Sequence, residues 1–280
     1  MKFQFKLLFK RPELGLIMAF MFLISIGTFA VDCIQCYNSN INSLVSSDQH
    51  YIGRTTWDLH TVLIALIPLI VSIPFADTYF EENQKNILPI LITKYKNTKS
   101  YFISKALVVF FSAFLVIFFP LIFNIILNNI TFPAETVKDY SNLSTDQTVY
   151  YIEEFVSQIL FPNLFVKHPQ LYNVVFCFAL SLFSGLFSVL TYCISFFVKQ
   201  SRILVLVAVF IINNIITIIS DFTDDIGLNI DFFNYLLSYD LSDNKNLIVF
   251  AVCTLALLGN IIYLSKNAIL KLNNIISYRE

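Results

Sequence analysis

The chain has 280 residues, of which 57% are hydrophobic and only 13% are charged. A soluble domain carries roughly 25% charged residues, so this composition excludes a soluble globular protein. The formal net charge of −1 gives no electrostatic basis for binding nucleic acid. The apolar residues are concentrated in runs of about 17–25 residues, the length that crosses the hydrocarbon core of a bilayer.

A basic segment at the N-terminus precedes the first apolar run. Lys2, Lys6 and Lys10 recur at intervals of four residues, and Arg11 follows them. This spacing places the three lysines on one face of a helix, with Phe and Leu on the remaining faces. We expect an amphipathic helix in the plane of the inner headgroup layer, with these four cations directed toward anionic lipid.

Six apolar runs predict an all-α integral membrane protein with six transmembrane helices in a single domain, residues 1–280. The runs cover residues 14–31, 61–75, 106–128, 173–198, 203–220 and 247–265. They are apolar on all faces, which is typical of helices that contact lipid. The second run contains Pro68 and Pro74, and a membrane helix tolerates proline where its neighbours satisfy the freed carbonyl groups.

The distribution of charge predicts the orientation. With the N-terminus inside, most of the 18 Lys and Arg residues fall in inner segments and most of the 19 acidic residues fall in outer ones. Because cytoplasmic loops carry an excess of Lys and Arg, we expect both termini in the cytoplasm. Heavy use of Ile, Asn, Phe and Lys is typical of an AT-rich bacterial genome, so the predicted location is a bacterial plasma membrane.

The inner loop between the second and third runs contains an apolar stretch within a charged segment. It follows two acidic residues and precedes a lysine-rich patch, and it needs a surface to bury against. The headgroup layer is one candidate, and the groove of a protein partner is the other. Pro89 suits the first turn of a short helix, where its missing N–H costs nothing. The stretch and its flanks comprise Glu81, Glu82, Asn86, Ile87, Leu88, Pro89, Ile90, Leu91, Ile92 and Lys94.

This order of segments resembles the permease subunit of ABC-2 type ABC transporters. The shared features are the basic N-terminal segment, the first two spans, the acidic residues, the apolar stretch, the lysine patch and Lys105 at the start of the third span. The resemblance implies that residues 81–94 include a short coupling helix that docks on a cytosolic ATPase subunit. Many members have a glycine after the acidic residues, whereas Asn86 or a neighbour takes that place here.

The resemblance also implies the partners and the activity. We expect two cytosolic ABC ATPase subunits, a second permease copy or a related permease, and the surrounding lipid bilayer. The implied function is export of an amphipathic or hydrophobic cargo such as a peptide, a lipid or a drug. The chain lacks a G-x-x-x-x-G-K-[ST] loop, so ATP and Mg would bind in the ATPase subunits. We therefore expect no catalytic residue, cofactor or metal in this chain, which would not be an enzyme itself.

Four of the polar residues within the apolar runs are candidates for the transport pathway. Such residues usually face the interior of a helix bundle or a cavity. Hydrogen bonding between helices and contact with a transported substrate are both consistent with their positions. They are Asn124, Thr191, Asn213 and Asn214. Ser181 and Gly185 add a pair of small residues four positions apart, which favours close helix packing.

Two other functions remain open from the sequence. The chain could be a membrane-embedded sensor or immunity component whose acidic outer loops receive a cationic antimicrobial peptide. The acidic residues in question are Asp221, Asp224, Asp225, Asp231, Asp240 and Asp243. A secondary transporter is the other alternative, although it usually carries a charged residue at mid-depth, and none can be placed there. Cys33 and Cys36 form a lone C-x-x-C, which is either incidental or an external disulfide or redox pair.

Overall fold

The computed structural model describes residues 2–38, 46–53, 58–95, 97–133, 160–198, 200–224, 230–236 and 247–277. Within these ranges every regular element is helical. The helices are α1 (Lys2–Leu8), α2 (Pro12–Gln35), α3 (Asp58–Ser72), α4 (Thr78–Gln84), α5 (Leu88–Thr93), α6 (Thr98–Thr131), α7 (Pro162–Lys167), α8 (Pro169–Ser195), α9 (Arg202–Asp224) and α10 (Leu247–Ser277), with a 3₁₀ turn at Asn234–Leu236.

Five of the described helices are long and apolar enough to cross a membrane. They are Pro12–Gln35, Thr98–Thr131, Pro169–Ser195, Arg202–Ser220 and Leu247–Asn274. The prediction of an all-α, multi-pass membrane protein is therefore confirmed at this level. Helix α3 is not among these five, because its 15 residues rise only about 22 Å at 1.5 Å per residue. The hydrocarbon core of a bilayer is about 30 Å thick.

Several predicted boundaries differ from the observed ones. Helix α6 begins at Thr98 rather than at residue 106, and α10 continues to Ser277 rather than ending at 265. Both helices extend beyond their most apolar part, and α6 begins early because the Asn97 side chain caps it, accepting a hydrogen bond from Ser100 N at 2.7 Å. Helix α3 ends at Ser72 rather than at 75, because the residue before Pro74 is disfavoured in a helix.

The core of the bundle lies where α6 packs against α8. Gly185 makes this approach close: a Cβ at that position would lie 2.7 Å from ring carbons of Phe110 and 3.1 Å from its carbonyl oxygen. On α8, Ser181, Ser184 and Ser188 are fully buried beside it. Small side chains let helix backbones approach in this way. Helix α3 packs against α8 and α9, and α10 packs mainly on α8.

The bundle has two chemically different ends. At one, called the charged end below, lie α1, α4 and α5 together with the starts of α2, α6 and α9. The other, called the opposite end, is filled by the buried segment 46–53. Amide side chains hold this segment: Ile52 N donates to Asn124 Oδ1 at 3.0 Å, and Asn173 Nδ2 donates to Asp48 O at 2.8 Å.

Replacing Gly185 tests the close approach of α6 and α8. Gly185→Ala is expected to lower the free energy of unfolding by about 1–3 kcal/mol, because the added methyl group overpacks a filled interface. Thermal unfolding of the detergent-solubilised protein measures this change. Gly259→Ala on α10 is the matched control, since a Cβ there meets nothing within 4 Å. Equal melting temperatures for the two variants would contradict the packing described here.

Candidate functional site

The charged end is built around the carboxylate of Asp77, which follows α3 and is fully buried. Arg11 Nη1 donates to Asp77 Oδ1 at 2.9 Å, and Arg202 Nε donates to Oδ2. Arg202 also lies 3.1 Å from Glu13 Oε1 through its Nη2. A buried carboxylate is stable only when it is paired. Asp77 therefore joins the end of α3 to the segment before α2 and to the start of α9.

A second buried ion pair joins α4 to α6. Lys105 is fully buried on α6, and its Nζ donates to Glu82 Oε2 of α4 and to Tyr101 Oη at 3.0 Å. The Tyr101 hydroxyl donates to the same Glu82 oxygen. Tyr101 and Lys105 meet because residues four apart lie on one helix face. This arrangement pairs both charges within the protein and fixes α4 against the base of α6.

An aromatic contact fixes α4 to α8 as well. The ring of Tyr79 stacks on that of Phe196, with centroids 3.7 Å apart and an interplanar angle of 18°. Burial raises the pKa of Tyr79 to about 12, because the phenolate is poorly solvated there. The side chain therefore remains neutral at physiological pH and contributes through packing.

Asn86 makes the turn between α4 and α5. Its φ is 55°, in the left-handed region. Ile87 N donates to Glu82 O and Asn86 N donates to Asn83 O, both at 3.1 Å, which is the hydrogen-bond pattern of a Schellman helix end. Glycine and asparagine adopt this conformation most readily. Asn86 can therefore serve where the resemblance to ABC-2 permeases leads one to expect glycine.

Helix α5 has one buried and one exposed face. Leu88, Leu91 and Ile92 are buried against the bundle. Ile87 and Ile90 are 40% and 62% exposed. The helix begins at Leu88 with Pro89 in its first turn, as the sequence pattern predicts. An amphipathic helix of six residues is marginal alone, so α5 depends on its packing against the bundle.

Of the other residues predicted in this loop, some face the bundle and some are exposed. Glu82 faces inward, and Glu81 accepts a hydrogen bond from Arg11 Nη2 and lies 3.4 Å from Lys85 Nζ. Asn86 and Lys94 are exposed, and Pro89 is half-buried. A cavity of about 540 Å³ lies between α1, the start of α2 and the α4–α5 segment, with both charged and apolar side chains in its lining.

The N-terminal cations do not share one environment. Lys6 and Lys10 are exposed, whereas the side chain of Lys2 lies outside the described residues. Leu8 is buried, and Phe5 approaches Phe111 of α6 with ring centroids 6.3 Å apart. Arg11 differs from these lysines, because its guanidinium is directed toward Asp77 and Glu81.

Three of the four polar residues predicted at membrane depth have partners within the protein. Asn124 Nδ2 donates to Ser25 O at 3.0 Å, in addition to its bond from segment 46–53. The Thr191 and Ser72 hydroxyls lie 2.9 Å apart. Asn214 Nδ2 donates to Phe210 O at 2.8 Å within its own helix. Asn213 differs, because its buried side chain has no hydrogen-bond partner among the described residues and lines a cavity between α8, α9 and α10.

The acidic residues of the sensor alternative are only partly described. Asp231 is buried and accepts a hydrogen bond from Phe233 N at 2.9 Å, so it belongs to the fold of its own segment. The side chains of the other five, Asp221, Asp224, Asp225, Asp240 and Asp243, lie outside the described part of the chain. Cys33 is a free thiol, so it is not bonded to Cys36 in this structure.

Asp77, Arg202, Glu13 and Tyr101 are site residues that the sequence did not single out. The available signal was that charged residues flank three apolar runs on the same predicted side of the membrane. Their pairing was hidden because Arg11 and Arg202 lie 66 and 125 positions from Asp77.

Searches with protein-family models, curated proteins and solved structures found no match. The function is therefore inferred from the geometry of the charged end.

Removing one partner of the Glu82–Lys105 pair tests its contribution to stability. Lys105→Met is expected to lower the free energy of unfolding by about 3–5 kcal/mol, because Glu82 is left buried without a counter-charge. The double variant Glu82→Leu, Lys105→Met should recover most of the loss. Lys99→Met, at an exposed position of the same helix, is the control. A double variant as unstable as Lys105→Met alone would show that the ion pair is not the cause.

The turn at Asn86 gives a second stability test. Asn86→Gly is expected to retain the wild-type melting temperature, whereas Asn86→Ala should cost about 1 kcal/mol because of its left-handed backbone. Asn83→Ala, at an exposed helical position of α4, controls for loss of an amide. If Asn86→Ala and Asn86→Gly unfold together, the left-handed conformation is not required.

Proposed function

We propose that this chain is the permease subunit of an ATP-driven transporter of the ABC-2 type, with α5 as the helix that docks on a cytosolic ATPase. One observation carries the proposal. Ile90 of α5 and Ile87, the residue directly before this helix, are exposed, while the α4–α5 segment is fixed to the ends of the membrane helices. An exposed apolar pair on a rigidly held segment is a suitable docking surface for the groove of a protein partner.

The attachments of this segment suit the transmission of force. An ATPase dimer closes when it binds ATP, and it moves membrane helices only by acting on something rigid that projects from them. Glu82 ties α4 to α6, and Tyr79 packs it on α8. Asp77, directly before α4, is paired with residues at the starts of α2 and α9. Displacement of α5 would therefore reach four membrane helices.

We further propose that α3 makes a sixth crossing. Helix α3 runs from the opposite end toward the charged end, where Asp77 follows it. It packs against α6, α8 and α9, and these longer helices would shield it from lipid. Six crossings place both termini on one side, which the excess of Lys and Arg identifies as the cytoplasm. Together with the composition typical of an AT-rich bacterial genome, this orientation supports a location in a bacterial plasma membrane.

The remaining parts of the proposal follow from the architecture of such transporters. A second copy or a related permease would complete the transport path. Two ATPase subunits would bind ATP and Mg and supply the energy. The proposed activity is export of an amphipathic or hydrophobic cargo.

Substituting Ile90 tests the docking role of α5. The chain is co-expressed with the ABC ATPase encoded in the same operon, and the ATPase that co-purifies with the tagged permease is quantified. Ile90→Asp is expected to weaken binding by roughly 30-fold, the effect of losing about 2 kcal/mol at the centre of an interface. The exposed position means that the variant should still fold.

Ile90→Leu is the matched control and should retain binding, since it keeps an apolar side chain of the same volume. Both variants should insert into the membrane and melt with the wild type. If Ile90→Asp binds the ATPase as well as Ile90→Leu, or if the wild type does not bind it, the proposed function is wrong at its central point.

A further inference from the structure

A cavity of about 510 Å³ lies at membrane depth, remote from the charged end. Helices α9 and α10 both pack on α8 but make few contacts with each other, and the cavity occupies the cleft between them. Phe187 of α8 forms part of its floor, and Phe232 and Ile230 close one side. Its size is within the range of small-molecule sites, about 300–1,000 Å³.

The lining is apolar except for two amides and a thiol. Asn260 of α10 lies at the exposed rim and donates to Ala256 O at 2.9 Å, within its own helix. Asn213 of α9 lies deeper and is only 5% exposed. Among the described residues, no side chain or backbone group hydrogen-bonds the Asn213 amide. Asn213 is therefore a buried polar group directed into an apolar cavity without a partner from the protein.

The depth of Asn213 within the membrane explains why the lack of a partner for its amide matters. Asn213 lies about 16 Å along the helix axis from Arg202, at 1.5 Å per residue, which is near the middle of the span. A polar group without a partner in the hydrocarbon region is costly. The neighbouring Asn214 has a hydrogen-bond partner within α9. Asn213 instead requires a donor or an acceptor from a molecule in the cleft.

The lining also restricts the chemistry of that molecule. Among the described residues, no Asp, Glu, Lys, Arg or His lines the cavity, so a charged group would find no counter-charge there at low dielectric. A bilayer phospholipid keeps its polar groups at the interface, and only its hydrocarbon chains reach the middle of the membrane. The occupant must instead carry a neutral hydrogen-bonding group at mid-depth.

We propose that the cleft between α9 and α10 is a binding site for a neutral amphiphile, an apolar chain whose amide, ester or hydroxyl group hydrogen-bonds Asn213. The site requires a membrane around the chain but not an ATPase partner. It goes beyond the proposed transport function, because neither α5 nor the charged end takes part in it.

The test uses the purified full chain in lipid nanodiscs, without any ATPase, and a photoactivatable probe. The probe is a fatty primary amide with a diazirine in its chain, and the same chain ending in trimethylammonium is its charged counterpart. After irradiation, labelled peptides are mapped by mass spectrometry. We expect the neutral probe to label the residues that line the cleft, and unlabelled fatty amide to compete with it. The charged counterpart should not label them.

Two neighbouring asparagines provide the matched variants. Asn213→Leu is expected to reduce labelling of the cleft by about tenfold, as the loss of one buried hydrogen bond to the ligand predicts. Asn214→Leu should leave it unchanged. Ala256→Trp, at the rim of the cleft, should block labelling by filling the space. In the absence of probe, Asn213→Leu should melt no lower than the wild type, because no bond within the protein is lost.

Each opposite result overturns the proposal. Uniform labelling of all lipid-facing helices, or equal labelling of Asn213→Leu and the wild type, would show that ordinary lipid or water occupies the cleft. A fall in the melting temperature of probe-free Asn213→Leu would assign the amide a structural role. A cross-link between the clefts of two copies that excludes the probe would make this face a contact between chains.

Discussion

A charge that is removed from water must be paired, and this constraint organises the charged end of the bundle. Asp77 satisfies it with two arginines that come from distant parts of the chain. Glu82 satisfies it with Lys105 and with the Tyr101 hydroxyl. Such pairs contribute little net stability, since desolvation offsets most of the attraction, but leaving either partner alone is strongly unfavourable. They therefore determine how α2, α3, α4, α6 and α9 meet.

At the opposite end, side-chain amides supply most of the hydrogen bonds that hold the buried segment 46–53. There the side-chain amides of Asn124, Asn128 and Asn173 bond the backbone of segment 46–53. Polar backbone in a membrane protein is tolerated where it is buried in protein and its groups are bonded. The amide of Asn213 differs from these three, because it lines an apolar cavity instead of bonding the backbone of a buried segment.

Much of the architecture follows from composition and pattern. The low share of charged residues and the apolar runs predict a helical membrane protein, and Pro89 after an acidic segment predicts the short helix α5. Asparagine readily adopts a left-handed backbone, so a turn of this kind could be anticipated from the residue type. The sequence alone did not indicate that the turn falls at Asn86. These features depend on local sequence, on which helix propensity and the preferences of helix ends act directly.

The remaining features depend on contacts that the sequence does not encode locally. A helix that is apolar on all faces gives no signal of which face is buried. Asn213 and Asn214 therefore look equivalent in the sequence, yet one bonds its own helix and the other lines a cavity. In the same way, the sequence groups Arg11 with the neighbouring lysines and gives no sign that it pairs with Asp77, 66 positions away.

The two proposed sites are connected through α9. At the charged end α9 is tied to Asp77 by Arg202, and α10 is tied to α8 by the hydrogen bond from Lys271 Nζ to Phe196 O. Farther along, the two helices diverge and the cleft opens between them. Any displacement of α4 that alters the position of Asp77 would act on Arg202 through their ion pair and would shift the start of α9 relative to α10. The width of the cleft, and hence its affinity for an amphiphile, would then depend on whether an ATPase is pressing on α5.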